Sequence, residues 1–233
     1  MRDAARPGPQ RGLPADQTAA GRDRGGLVKL AVATRNQDKL REIAPIFRDT
    51  PVRLVSLAEL GVERRREEER LEGFSSFAHN ALAKAQYFHD RTGLPMMAED
   101  SGIRVDALDG EPGPRSKRYA PPEMQTEYGV DRANNLYLLR RLRDVPDERR
   151  TAHFHCAVAL VLEDESRVFG GRVDGVILRE PRGEGGFGYD PLFCLPDRGV
   201  TTAELTVDQK NEISHRGQAM RAARDWLSEV LGR

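Results

Sequence analysis

LVKLAVATRNQDKLREIAPIF, Leu27–Phe47, is the stretch that decides the fold class. Leu27 to Ala33 is an apolar run broken only by Lys29 and reads as a buried strand. Thr34–Lys39 is polar, with Asn36 placed as a helix N-cap, and Leu40, Ile43, Ala44 and Phe47 follow at helical spacing. Strand, polar turn and helix in that order open an α/β unit, and Pro45 weakens the later half of the helix.

Outward from this unit, Val52–Val55 reads as a second strand. Glu63–Glu72 is charged on every side and reads as a solvated loop or helix face, with Glu72 at its edge. Ser76 caps a helix that buries Phe77, Ala81, Ala85 and Phe88, with Lys84 near the apolar stripe and His79 roughly opposite. Met96–Ala98 is the next strand, Asp131–Arg143 a helix on Leu136, Leu139 and Leu142, and Ala152–Leu162 a long strand. Arg167–Leu178 is its hairpin-like neighbour. The last helix carries Ala219, Ala222, Ala223, Trp226, Leu227 and Val230 on one face. Strands adjacent late in the chain make the sheet mixed, not purely parallel.

The 233 residues are 38% hydrophobic and 32% charged, as in globular proteins. The formal net charge is zero, so no global field draws in nucleic acid or a membrane surface, and anion binding has to come from local clusters. Cys156 and Cys194 form no C-x-x-C motif, which makes a reducing cytoplasm the expectation. No apolar run reaches the length of a membrane span, and the N-terminus lacks the apolar core of a signal peptide. Residues 1–26, rich in Arg, Gly, Pro, Asp and Ala, are expected to form a disordered extension before a single domain over 27–233.

Four polar segments can carry chemistry. In AEDSGIRVDALDGEPG, Ala98–Gly113, Glu99 and Asp100 stand side by side where the strand Met96–Ala98 ends. Taken locally this is a solvated turn or a metal and proton-handling site. As close like charges the two acids would raise each other's pKa, a repulsion that a divalent cation relieves. In Thr34–Lys39, backbone N–H groups and the Lys39 charge favour anions. GEGGFGYDP, Gly183–Pro191, fits G-x-G-x-x-G by spacing, but Asp190-Pro191 disfavours the helix that a dinucleotide fingerprint requires. It reads as a Gly-rich turn presenting Phe187, Tyr189 and Asp190. In TVDQKNEISHRGQAM, Thr206 and Gln209 form a capping box, and His215 and Arg216 open the last helix. Together these provide acids for a divalent cation, cations for phosphates and an aromatic ring for a base, the parts that phosphoryl chemistry needs.

In sequence order, VATRNQDKLREI, FAHNALAKA, GLPMMAEDSGIRVDALDGEPG, SKRYA, GGFGYDPLF and AELTVDQKNEISHRGQA resemble the inosine/xanthosine triphosphate pyrophosphatase family from Leu27 to the C-terminus. The resemblance implies a long mixed sheet flanked by helices, in two lobes with a substrate cleft between, and a homodimer. It implies Mg2+-dependent hydrolysis of ITP, dITP or XTP to the monophosphate and pyrophosphate. Asp100 matches the metal-binding proton acceptor, and Glu72 a second acid near the metal. Thr34, Arg35, Asn36, Gln37, Asp38 and Lys39 match the loop that grips the triphosphate, Lys84 a further cation and Ser101 a substrate contact. Arg118, in SKRYA, is a candidate to neutralise the leaving group. Phe187, Gly188, Tyr189, Asp190, Lys210, His215 and Arg216 match the base-recognition and phosphate-side segments. Arg35 stands where relatives often have Gly, and His79 where an acid is common. These departures keep open a nucleotide-binding module without catalysis, and a pyrophosphatase of other triphosphates, such as pyrimidine ones, on a similar fold is the alternative among enzymes.

Overall fold

The computed structural model describes residues 26–232. Except for Gly26, the expected N-terminal extension lies outside the described residues. The strands are β1 (Val28–Val32), β2 (Val52–Ser56), β3 (Met96–Val105), β4 (Thr151–Val161), β5 (Ser166–Ile177), β6 (Phe193–Leu195) and β7 (Val200–Thr201). The helices are α1 (Gln37–Ile43), α2 (Phe77–Thr92), α3 (Pro122–Tyr128), α4 (Val130–Arg141), α5 (Val207–Ile213) and α6 (His215–Leu231).

The strands form one seven-stranded sheet in the order β2-β1-β3-β4-β5-β6-β7. β1 pairs in parallel with β2 and β3, and every later pairing is antiparallel, so the expected mixed α/β sheet is borne out. Leu30, Val32, Cys156, Val158 and Leu160 pack on one face against Met220, Ala223, Trp226 and Leu227 of α6. Ala31, Met96, Ala98, Ala157 and Ala159 pack on the other against Phe77, Ala81, Ala85 and Phe88 of α2. Each large aliphatic side chain withdrawn from water in these layers contributes roughly 1.5–3 kcal/mol.

Several local readings change. The expected strand Met96–Ala98 continues to Val105, because all ten residues of β3 find antiparallel partners on β4. The two acids therefore lie inside a strand and not at its tip. Pro45 ends α1 early, and Ala44–Phe47 tightens into a 3-10 turn. Ser76 occupies the N-cap of α2 without a side-chain capping bond. Within the charged stretch, Arg66–Arg70 is a 3-10 turn. Leu136 on α4 is exposed while Leu138 is fully buried, and on α6 Met220 takes the inward position expected of the exposed Ala222. α3, opened by Pro122, has too short an apolar pattern to be read from sequence.

One feature of the sheet creates a crevice. β1 pairs with β3 only at Ala31–Met96 and Val32–Met97, after which the chain leaves for the Thr34–Asn36 turn. β3 runs on alone along that edge until Ile103, whose N–H donates to Ser116 Oγ at 2.9 Å. Gly102 permits this approach, since a Cβ there would lie 2.2 Å from Ser116 Oγ. Glu99–Gly102 thus occupies the gap beyond the carboxyl end of a parallel strand, where open α/β sheets place their ligands.

Candidate active site

A cleft of about 840 Å3 opens at this gap, a size suited to a nucleotide-sized ligand. It is lined from one side by Thr34, Lys39, Glu72, Lys84, Asp100 and Arg118, and from the other by Phe187, Asp190, Lys210, His215 and Arg216.

Strand alternation sends the adjacent acids to opposite faces of the sheet. Asp100 goes to the α2 side, where its Oδ2 accepts a 2.8 Å hydrogen bond from Asn80 Nδ2. Burial raises its pKa above the ordinary aspartate value, a shift only partly offset by Lys84 and the Asn80 bond and reinforced by the charge of Glu72. Glu99 goes to the α6 side, where it pairs with Lys39 and Arg216 and accepts from Cys156 Sγ at 3.3 Å. Burial opposes its charge, but Lys39 and Arg216 outweigh that cost and hold its pKa well below the usual range. The expected mutual repulsion of the doublet is therefore corrected: cations neutralise Glu99, and burial, not Glu99, is the main influence on Asp100.

Glu72 stands above the cleft between two cations. Lys84 Nζ donates to its Oε1 at 2.6 Å, and Arg118 Nη1 to its Oε2 at 3.3 Å. Burial works against its charge, but Lys84 in particular brings its pKa down to about 2. Lys84 also donates to Glu99 O at 3.1 Å, which fixes its ammonium between the two acid-bearing segments. Asn80 ties these segments together, receiving Phe74 N–H at 2.9 Å on its Oδ1 while its Nδ2 reaches Asp100.

In the Thr34–Lys39 loop, Asn36 Oδ1 accepts from Asp38 N and Lys39 N, the expected N-cap. Lys39 points into the cleft beside Glu99. Gln37 is exposed and does not line the cleft, and Asp38 pairs with Arg41 at 3.0 Å. Arg35 borders the cleft, but its guanidinium forks onto Glu68 at 3.0 and 3.1 Å. His79 is exposed, lies edge-on to Phe74 and does not line the cleft.

The opposite wall is a buried ionic cluster. Lys210 Nζ donates to Glu42 Oε1 at 2.7 Å and to Asp190 Oδ2 at 2.5 Å. Arg216 donates to Glu42 Oε2 and to Ser101 Oγ, the latter at 2.8 Å. The Phe187 ring lies against both cations, with Lys210 Nζ 5.0 Å and the Arg216 guanidinium carbon 5.4 Å from its centroid. Tyr189 turns inward and donates its hydroxyl to Ser116 O at 2.8 Å. His215 stacks on Phe154, with its Nδ1 buried and unpartnered. Burial, then the charges of Arg216 and Lys210, depress its pKa and keep the ring neutral.

Glu42 and Asn80 belong to this machinery but were not singled out by sequence reasoning, and Glu99 was singled out only as one of the acid doublet, without its two cationic partners. The only local signal for Glu42 is an acid beside Ile43 within the buried stripe of α1. Among the described residues no group of three or more His, Cys, Asp or Glu side chains is placed to hold a metal ion. Asp100 and Glu72 are two carboxylates lining one cleft, and carboxylate oxygens are the ligands that could hold a divalent cation there.

An open mixed sheet with cations and acids gathered beyond the end of β1 defines an α/β protein built to hold a polyanion. The sequence model of the Ham1 family matches residues 30–226. A dITP/XTP pyrophosphatase from Geobacter sulfurreducens is 47% identical over 202 residues, covering 86% of this chain and 97% of that protein. The solved structure of a HAM1 protein from Coxiella burnetii superposes with a TM-score of 0.74 at 36% identity, covering 88% of this chain and 99% of that one. The crystal structure of a nucleoside-triphosphatase / dITP/XTP pyrophosphatase from Mycobacterium abscessus gives a TM-score of 0.65 at 43% identity, covering 84% of this chain and 98% of that one. The chain belongs to the Ham1 family.

Proposed function

We propose that this chain hydrolyses the deaminated purine nucleoside triphosphates ITP, dITP and XTP to the monophosphate and pyrophosphate. We further propose that it uses Mg2+ and acts in the cytoplasm as a homodimer. The observation that carries the reading is the division of one cleft. A buried carboxylate with a raised pKa sits among cations at one end, and an aromatic ring with buried hydrogen-bonding groups lies at the other. The names of the relatives support dITP and XTP as substrates. Among the described residues no helix is long and apolar enough to cross a membrane.

Asp100 is the residue suited to take a proton from the attacking water. Burial raises its pKa above that of a solvated aspartate, which makes its carboxylate the stronger base of the two. Mg2+ held by Asp100 and Glu72 would supply charge neutralisation at the phosphate oxygens. Lys39, Lys84 and Arg118 face the same end, and their N–H groups offset the charge that grows on the departing pyrophosphate. Lys84 Nζ spends two donors on Glu72 and Glu99 O, leaving the third for a phosphate.

At the other end the base stacks on Phe187. Lys210 and Arg216 supply donors, and the neutral His215 ring lines the same end. A purine with oxygen at position 6 accepts from such donors, whereas an adenine amine confronts donor with donor. Leaving buried polar groups unpaired is how a site rejects a near-isostere by roughly 10⁴ or more. The test is pyrophosphate release from ITP, XTP, ATP, GTP, dTTP and UTP, with and without Mg2+. ITP and XTP should lead the panel and depend on Mg2+. Equal turnover of ATP or dTTP would overturn the substrate assignment, and ITP binding with no release at any Mg2+ concentration would overturn catalysis.

A further inference from the structure

We propose that Asp131 and Asn135 of α4 are positioning residues that clamp Gly188 and so seat Phe187 for base selection. The proposal rests on the substrate reading above. Both residues lie outside the set that the sequence resemblance marks. Four positions apart, they share one face of α4. Asp131 Oδ2 accepts the Gly188 N–H at 2.7 Å, and Asn135 Nδ2 donates to the Gly188 carbonyl at 2.9 Å. Both backbone groups of a single residue are thereby held by one helix.

Gly183, Gly185, Gly186 and Gly188 make this a segment that loses much conformational freedom when ordered, so its geometry needs external contacts. Gly188 itself adopts a left-handed φ of 61°. On its other side, Phe187 N–H donates to Asp190 Oδ2 at 2.8 Å, and the same oxygen receives Lys210. The Phe187–Gly188 peptide is thus stretched between the buried ionic cluster and α4. α4 is a firm base for it, since Leu138 is fully buried and Asn134 is bonded to Ala120 N and Lys117 O.

Asn135 provides a second indication. Its Oδ1 is buried without a hydrogen-bond partner, a destabilising arrangement that an apolar side chain of similar size would remove. An asparagine kept only for stability would not leave half of its amide unpaired. The bond it does make is the one to Gly188.

The test combines hydrogen exchange of residues 182–190, thermal unfolding, and kcat and KM for ITP in Asp131→Leu, Asp131→Asn and Asn135→Leu. Asp131→Leu should speed exchange in that segment and raise KM about threefold to tenfold with kcat little changed, the effect of losing one hydrogen bond. Asp131→Asn retains an acceptor oxygen and should stay near wild type. Asn135→Leu should raise KM while leaving Tm unchanged or higher, which a purely structural role would not do. Unchanged exchange and KM in Asp131→Leu would overturn the clamp. So would equal impairment of Asp131→Asn, because charge and not the hydrogen bond would then be responsible. A fall in Tm without a rise in KM in Asn135→Leu would also overturn it. Absence of ITP turnover in the wild type would instead overturn the substrate reading, and the exchange data would still decide whether α4 holds the loop.

Discussion

At Asp100, function and stability pull in opposite directions. Its carboxylate is buried and only partly compensated, so its folded pKa lies above the ordinary aspartate value. A raised folded pKa means that the protonated form favours the fold. That contribution is complete below about pH 4 and is lost as pH rises through the folded value. Asp100→Asn keeps an acceptor for Asn80 and removes the buried charge. It should raise Tm at pH 7, with the difference from wild type vanishing toward pH 3. It should also lower pyrophosphate release about 10²–10⁴-fold, the usual worth of a positioned general base. Full turnover in this variant would remove Asp100 from the chemistry. Glu72 has the opposite sign. Its pKa falls from 4.5 to about 2 in the fold, so its contribution is present above pH 4.5 and is lost as pH drops toward 2. Glu72→Gln should therefore be less stable than wild type at pH 7 in urea titration, and the gap should close between pH 4.5 and 2. A gap that persists unchanged at pH 3 would show that the charge is not what the fold uses.

At the level of elements, the site depends on how closely α6 crosses the sheet. A Cβ at Gly171 of β5 would lie 2.0 Å from His215 O and 2.9 Å from Ala219 N, both backbone atoms that cannot swing aside. Gly171→Ala should therefore lift the start of α6, destabilising the protein by about 1–3 kcal/mol as overpacking does, and should shift His215 and Arg216. The neighbouring Gly170 points to the other face, where nothing lies within 4 Å, so Gly170→Ala should be close to neutral in the same urea experiment. Equal effects at the two positions would show that close packing is not what Gly171 serves. The arrangement also explains why α5 and α6 are separate helices. Ser214 caps α6 by accepting Gly217 N–H at 3.0 Å, and the break turns His215 and Arg216 toward the cleft.

Across the whole molecule, the sheet joins groups that the chain keeps far apart. β3 carries Glu99, Asp100 and Ser101 through the centre, α2 brings Lys84 and Asn80 to one face, and α6 brings Arg216 to the other. The family match begins at residue 30, upstream of every residue assigned to the site. A chain lacking residues 1–25 should therefore keep its ITP turnover, and loss of turnover would assign that segment a part in the reaction. If the proposed homodimer forms, light scattering should give twice the mass of one chain for either version.

Much of this was legible locally, because helix periodicity, caps and apolar runs are written within a few residues of one another. The longer strands and helices, the Asn36 and Thr206 caps and the polar segments of the cleft could be read in this way, whereas β6, β7 and α3 are too short to carry a pattern. The partners of those segments could not. Glu42 meets Lys210 across 168 residues and Arg216 across 174, and no local pattern encodes such a contact. Nor could the sequence decide where Glu99 and Asp100 point. That depends on β3 continuing past Ala98, and it continues because β4 lies alongside and pairs Glu99 with Val158 and Asp100 with Ala157. Residue chemistry determined which groups the protein has to work with. Strand pairing alone decided that one acid would neutralise two cations while its neighbour faced the cleft, because side chains alternate between faces only where a strand persists.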